Sequence, residues 1–245
     1  MISILINKGI KVFSLTETPL KNTKKMNQEI RNKIDLIFAI GGDGTALRAF
    51  RYMANNVPVF SMNVGGTRGI LSEIKTELVE DSINSLLNGE YLIDKRLRIQ
   101  PSTKAQIFSP ALNEILILRA NMTRTPKISI KYRDFQMEQL MDGIIVSTPT
   151  GSTGHSFSIG GPVLYEKLNC LILAPIASVN KIPQIVIPAE EIEIKSNDKI
   201  HMIIDGQETF MLNSNEPLKI SRYTTDAGFI RLKQKTLPQL EKLGF

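Results

Sequence analysis

Apolar and polar positions follow two different rhythms along the chain, and the change falls after about Tyr91. In the first part, short apolar runs alternate with helical periods. Asp35 to Ile40 (DLIFAI) is a compact apolar run that stops at Gly41, the pattern of a buried strand. Thr45 to Ala54 follows, with Leu47, Phe50 and Ala54 at helical spacing, before Asn55 and Asn56 break the pattern. Val57 to Met62 reads as the next strand, with Pro58 near its start. Glu77 to Leu87 then carries Leu78, Ile83, Leu86 and Leu87 on a helical period closed by Asn88-Gly89. Strand, helix, strand, helix predicts a parallel sheet of the α/β kind. The first residues allow two readings. Met1 to Asn7 forms either a first strand or, the preferred reading, a helix ended by Gly9 ahead of a strand at Ile10 to Ser14.

Beyond Tyr91 the runs become short and β-rich. They are Leu97 to Gln100, Ala105 to Phe108, Glu114 to Arg119, Ile128 to Tyr132, Ile144 to Ser147, Leu171 to Ala174, Ile185 to Ile187, Glu191 to Ile194, Ile200 to Ile204 and Leu218 to Ser221. Turn-forming residues separate them, which predicts an all-β sandwich domain. The boundary falls near Leu92 to Lys95, giving an α/β domain over 1–94 and a β-sandwich over 95–225. Leu237 to Leu243 reads as a helix in the tail, 226–245.

Composition narrows the classes. Of the 245 residues, 42% are hydrophobic and 22% charged, which excludes a mainly disordered chain. No apolar run approaches the ~20 residues of a membrane helix. No signal peptide and no membrane partner are expected, and the expected compartment is the cytoplasm. One cysteine, Cys170, excludes an internal disulfide framework. With two histidines beside it, a zinc site is not expected either. Cys170 and His201, on a predicted strand, read as structural. The formal charge of +6 favours anionic partners, but Lys and Arg are spread out. Without an aromatic-rich basic stretch, nucleic acid is not an expected partner.

Four segments carry candidate chemistry. Gly41-Gly42-Asp43-Gly44-Thr45 sits at the carboxyl end of a predicted strand and before a predicted helix, where open α/β sheets bind ligands. Glycines permit close backbone approach and a helix N-terminus attracts phosphate, so Gly41, Gly42, Gly44 and Thr45 are candidate phosphate contacts. A carboxylate in such a loop is electrostatically misplaced unless it has a chemical role. Asp43 could hold a divalent metal or accept a proton from an attacking hydroxyl. An ordinary tight turn opening a helix explains the same residues more blandly. Neither a Walker A loop nor Gly-x-Gly-x-x-Gly occurs, so positive charge must come from metal or from residues such as Arg48. Asn113-Glu114, ahead of an apolar run, could grip a ribose, the amide donating and the carboxylate accepting. Both reach one ligand only at the irregular start of a strand, because neighbours on a regular strand face opposite ways. Asp142 to Pro162 is a long turn rich in hydroxyls and glycines, offering many donors to a polar ligand. Its Phe157, Ile159, Val163 and Leu164 call for burial, which argues against a linker. Asp205-Gly206-Gln207 reads by itself as a hairpin turn.

Together and in this order, the four segments resemble the NAD kinase family, over about Asp35 to Ser221. The long Asp142 to Pro162 stretch is the most specific element; the glycine–aspartate segment is shared with diacylglycerol and sphingosine kinases. The resemblance implies transfer of the γ-phosphoryl of ATP, or of polyphosphate, to the 2′-hydroxyl of the adenosine ribose of NAD. It implies an α/β domain completed by the C-terminal tail, a β-sandwich domain, and a homodimer or homotetramer in which a neighbouring subunit joins the NAD site. By the same resemblance Asp43 is the proton acceptor, Gly44 contacts NAD and Arg48 reaches the dinucleotide phosphates. Asn113 and Glu114 form the ribose pair, Arg124 is a basic contact, and Asp142 lies near the nicotinamide end. Thr153, Gly154, His155, Ser156, Phe157 and Ser158 wrap the dinucleotide, and Gln207 adds a contact. The divalent metal, Mg²⁺ or Mn²⁺, travels on ATP rather than on protein ligands.

The sequence also departs from the family. Gly154-His155 stands where Ala-Tyr is common, and Ser178-Val179 where many members carry Pro-His. His155 is expected to be a binding-loop or surface side chain rather than a base. The region before Asp35 is short for the family and is expected to lack its first strand. Two other readings stand beside the kinase: a non-catalytic NAD(P)-binding regulator, which would tolerate loss of Asp43, and a lipid or small-molecule kinase, which should lack the long Ser/Thr/Gly stretch.

Overall fold

The structure is a computed structural model that describes residues 1–15, 20–52, 56–63, 74–75, 79–234 and 236–244. The sequence readings at Ala54, Asn55, Glu77 and Leu78 fall outside these residues. The chain divides into two compact units: Met1–Asp94 with Gly228–Thr236, and Lys95–Ala227 with Leu237–Phe245. The last twenty residues therefore do not behave as one tail. The strand Ala227–Arg231 joins the sheet of the first unit, whereas Leu237–Phe245 groups with the second.

In the first unit, α1 (Ile2–Asn7) is followed by β1 (Phe13–Ser14), β2 (Lys24–Lys25) and α2 (Gln28–Arg31). Helix α1 is the preferred of the two N-terminal readings, and Gly9 just beyond it has φ 78°. Among the described residues, strands β1 and β2 form a two-stranded sheet of their own. The main sheet begins with β3 (Ile37–Ile40), then α3 (Asp43–Tyr52), β4 (Val59–Asn63), β5 (Ile74–Lys75), α4 (Val79–Leu87) and β6 (Leu92–Arg96). β3 and β4 run parallel, as the strand–helix alternation requires. Phe60 and Met62 of β4 pack with Leu36, Phe38, Val79 and Leu86.

The second unit holds β7 (Ile99–Ser102), β8 (Glu114–Arg119), β9 (Lys127–Tyr132), β10 (Phe135–Leu140) and β11 (Gly143–Ser147). A 3₁₀ turn (Thr150–Thr153) and α5 (His155–Ser158) come next. Then follow β12 (Cys170–Ile176), β13 (Ile185–Pro188), β14 (Ile192–Ser196), β15 (Ile200–Ile204), β16 (Glu208–Leu212) and β17 (Leu218–Arg222). β18 (Ala227–Arg231) returns to the first unit, and α6 (Pro238–Leu243) closes the described chain. The order β10-β9-β14-β17-β7 forms one sheet and β13-β12-β11-β8-β15-β16 the other. Ile128, Ile130, Ile192, Ile194 and Ile220 of the first meet Ile115, Ile117, Ile144, Val146 and Met202 of the second in one core, the sandwich that the run spacing predicts.

β8, β11 and β12 are apolar without alternation because both their faces are covered. Leu116, Ile145, Ile172 and Ala174 on the second face pack against Ile159 and Leu164 of the long loop. Phe157 does not join them and is 42% exposed, contrary to the expectation of burial. The structure differs from the sequence reading at other points, each for a physical reason. β10 and β16 went unread because they are edge strands, hydrogen-bonded on one side and open to water, so their polar sequences show no apolar run. Ala105 to Phe108 is no strand; Ile107 makes an isolated bridge to Ser102 and points outward. Cys170 is half-buried rather than core, and burial pushes its thiol pKa up. Nor do the basic residues all solvate the surface: Arg96, Arg98 and Arg231 are buried, Arg98 donating to the Thr225 carbonyl and lying over Tyr223. Among the described residues no helix is long and apolar enough to cross a membrane.

β18 is the sequence-distant piece of the first sheet, pairing parallel to β4 through Phe229 and Val59. The fully buried Phe229 ring meets Phe50 of α3 edge-on at 4.6 Å. Phe229→Ala is expected to cost about 3–5 kcal/mol in this unit. Differential scanning calorimetry should show an earlier first transition; an unchanged melt would show that β18 does not anchor the sheet.

Candidate active site

Two sets of residues carry the expected chemistry, one in each unit. In the first, β3 delivers the chain to Gly41, whose N–H donates to the Met62 carbonyl (2.9 Å). Gly41 has φ 150°, and a Cβ there would collide with the Thr45 hydroxyl, so the turn requires glycine. Asp43 is the first residue of α3, and the Thr45 N–H closes back on the Gly42 carbonyl (2.9 Å). A carboxylate at this position sits at the positive end of the helix. Ala46, Leu47, Ala49 and Phe50 bury the inner face of α3, which holds the turn rigidly. Gly42, Gly44 and Arg48 are exposed and Asp43 is half-buried. Arg48, four residues after Gly44, shares its face of the helix, one turn further on.

In the second unit Asn113 lies just ahead of β8 and Glu114 is its first residue, the irregular strand start that a shared ligand demands. One side chain holds this start in place. Asp205 accepts from the N–H groups of Leu112 (3.0 Å, Oδ2), Asn113 (2.8 Å, Oδ1) and Glu114 (3.2 Å, Oδ1), while its own N–H donates to the Glu114 carbonyl (3.0 Å). Asp205 and Gly206 occupy positive φ (49° and 65°), and the Gln207 N–H bonds the Ile204 carbonyl, so the hairpin turn is of the I′ kind. The Asp-Gly pair is legible as a turn. Its part in holding the strand start is not, because the partners lie more than ninety positions away.

The long loop completes this end of the sheet. Thr148 donates from its N–H to the Asn113 carbonyl (2.8 Å) and from its hydroxyl to the Leu112 carbonyl. Gly151 packs so closely that a Cβ would collide with the Asn113 carbonyl. A Cβ at Gly154 would stand 3.1 Å from Glu114 Oε2, which places the Glu114 carboxylate beside the loop. The Asn113 Oδ1 atom is buried and without a hydrogen-bond partner, an acceptor in waiting. Thr153 and Ser156 are buried; His155, Phe157 and Ser158 are exposed, as is Gln207 on the adjoining turn.

Asn113, Glu114, Thr153, Gly154 and Gln207 thus gather at one end of the six-stranded sheet. Asp142 and Arg124 do not. Register pairs Ser147 with Glu114 and Gly143 with Leu118, so Asp142 lies just beyond the other end of β11, about 17 Å from Glu114 at the usual strand rise. There Asp142 forms an ion pair with Arg119 (3.1 Å) and accepts from Thr125 (3.4 Å), with Arg124 exposed nearby in sequence. Arg119 escaped the sequence reading because it closes an apolar run without a motif of its own. Among the described residues no three His, Cys, Asp or Glu side chains gather as a cation cage.

Comparison with known proteins identifies the family. The family model for the ATP-NAD kinase N-terminal domain matches residues 6–91, and that for the ATP-NAD kinase C-terminal domain matches residues 112–232. The chain belongs to the NAD kinase family. The NAD kinase of Thermococcus sibiricus is 32% identical over 212 residues, 84% of this chain and 76% of that protein. The NAD kinase of Methanothermobacter thermautotrophicus is 31% identical over 243 residues, 95% of this chain and 85% of that one. Among solved structures, an NAD kinase from Archaeoglobus fulgidus in complex with ATP superposes with a TM-score of 0.78 at 26% identity, covering 99% of this chain and 91% of that chain. Yeast NADH kinase complexed with NADH reaches 0.85 at 22% identity, covering 100% and 82%, a likeness of fold. NAD kinase activity is the reading these likenesses support; the regulator and the lipid-kinase alternatives are not favoured.

Asp205→Ala leaves the Leu112, Asn113 and Glu114 N–H groups without their acceptor. Each stranded buried donor costs about 1–3 kcal/mol, so this NAD kinase should lose several kcal/mol of stability. Asp205→Asn keeps one acceptor oxygen and should lose less. Urea unfolding of the variants is the check, and an Asp205→Ala protein as stable as the parent would contradict the anchor.

Proposed function

We propose that the chain phosphorylates the 2′-hydroxyl of the adenosine ribose of NAD with the γ-phosphoryl group of ATP, releasing ADP and NADP. The observation that carries this reading is Asp43 opening α3 directly after a glycine turn at the carboxyl end of a parallel strand. A ribose hydroxyl is a poor nucleophile until a base accepts its proton. In the proposed reaction the 2′-oxygen forms the new bond to the γ-phosphorus, the bond from that phosphorus to the β–γ bridging oxygen breaks, and the 2′-hydroxyl proton passes to the Asp43 carboxylate. Gly41, Gly42, Gly44 and Thr45 are proposed to cradle phosphate through backbone N–H groups and the Thr45 hydroxyl. Gly44 also contacts NAD, and Arg48 supplies positive charge to the dinucleotide phosphates. A divalent cation, Mg²⁺ or Mn²⁺, carried on the triphosphate supplies charge neutralisation. ATP is the proposed donor in place of polyphosphate, supported by the Archaeoglobus relative that carries ATP.

In the second unit, Asn113 and Glu114 are proposed to hold the ribose, a role that suits the unpartnered Asn113 Oδ1 and the neighbouring loop. Thr153 to Ser158 and Gln207 contact the dinucleotide; the exposed His155 takes part as a binding side chain. Arg124 and Asp142, at the far end of the sheet, serve the nicotinamide end. A homodimer or homotetramer acting in the cytoplasm completes the proposal.

The test is a coupled assay in which NADP formed from NAD, ATP and Mg²⁺ is read by an NADP-specific dehydrogenase. Asp43→Asn should keep NAD affinity and lower kcat by about 100-fold or more. Asn113→Ala should raise KM for NAD and leave KM for ATP unchanged. Polyphosphate in place of ATP should give no NADP. Near-normal turnover of Asp43→Asn, a change confined to ATP in Asn113→Ala, or NADP from polyphosphate would each overturn the corresponding assignment.

A further inference from the structure

Gln239 lies on α6, is 6% exposed, and spends its whole amide on one loop. Nε2 donates to the carbonyls of Pro149 (3.0 Å) and Thr150 (3.3 Å), and Oε1 lies 2.9 Å from the Thr153 hydroxyl. Carbonyl oxygens only accept, so the nitrogen end of the amide must face Pro149 and Thr150. That fixes the oxygen end toward Thr153. An amide oxygen only accepts in turn, so the Thr153 hydroxyl must spend its proton on Gln239.

We propose that Gln239 is a positioning residue for the dinucleotide: it clamps the Thr150–Thr153 turn and presents Thr153 Oγ1 to the ligand as an acceptor only. The proposal rests on the reading that Thr153 to Ser158 wraps the dinucleotide. The turn is gripped from two sides. Gly151 is pressed against the Asn113 carbonyl, and Gln239 reaches the residues at both ends of the turn. Within the loop, Ser152 donates its hydroxyl to the Pro149 carbonyl (2.7 Å) and accepts from the Leu164 N–H (3.1 Å). All four turn residues are buried, so a hydrogen bond lost within the turn is costly. The hydroxyl polarity also sets a chemical preference. Facing Thr153, a ligand group that donates N–H or O–H is accepted, and a group that can only accept meets lone pairs.

A double-mutant cycle tests this. NAD affinity is measured by isothermal titration and KM by the coupled assay, for the parent, Gln239→Met, Thr153→Val and the double variant. Gln239→Met keeps the volume and removes the amide. It should weaken NAD binding about tenfold and leave KM for ATP within about twofold, the scale of losing, among its three bonds, the one that orients Thr153. If Gln239 acts through Thr153, the double variant should be no weaker than the weaker single variant. Additive losses, unchanged NAD affinity in Gln239→Met, or equal losses for NAD and ATP together with a lowered Tm would overturn the positioning role. A parent that binds NAD without making NADP would sink the kinase reading alone, since the cycle in NAD affinity still reports on Gln239. A parent that binds no NAD would overturn both.

Discussion

The candidate ribose pair depends on one carboxylate. Asp205 gathers the N–H groups of Leu112, Asn113 and Glu114, the donors that an irregular strand start leaves without ladder partners. With these donors satisfied, the chain can depart from regular β geometry at Asn113 and Glu114, the two candidate ribose contacts. The Asn113 carbonyl is then turned toward the Thr148 N–H, and the long loop docks on that carbonyl so closely that residue 151 must be glycine. Strand start, hairpin and loop thus form one hydrogen-bonded set, in which Asp205 is the member contributing two acceptor oxygens.

The two sets of candidate residues, one in each unit, are built by different means. In the first unit the glycine–aspartate turn is local: strand end, glycine, carboxylate and helix start are consecutive, and the parallel sheet places them as in other α/β proteins. In the second unit the geometry is assembled from segments around positions 113, 150, 205 and 239, each useful only when the others are in place. The first takes only its support from afar, through Phe229 against Phe50 of α3; the second takes its geometry itself from residues far away in sequence.

That difference explains what could be read from the sequence. Gly41 to Thr45 is legible because all of its logic lies in one window. β8, β11 and β12 are legible as apolar runs because both faces are covered. Asp205 is legible as a hairpin residue only, since a type I′ turn accounts for Asp-Gly before any distant partner is considered. Gln239 carries no signal: a glutamine in a short polar helix looks the same whether it faces water or a buried turn. The edge strands β10 and β16 lack an apolar run because water completes their hydrogen bonding. The tail splits at Thr236 because β18 answers to the parallel sheet through Phe229, while Gln239 answers to the Thr150–Thr153 turn.

The most direct test of a site built before its ligand arrives is amide hydrogen exchange at Leu112, Asn113, Glu114 and Thr148, with and without NAD. In a prebuilt site these amides are bonded in the free protein. They should exchange slowly without NAD, at rates close to those of the β8 interior, and change little when NAD is added. Fast exchange in the free protein that slows only on adding NAD would show that the ligand, and not Asp205, orders the strand start.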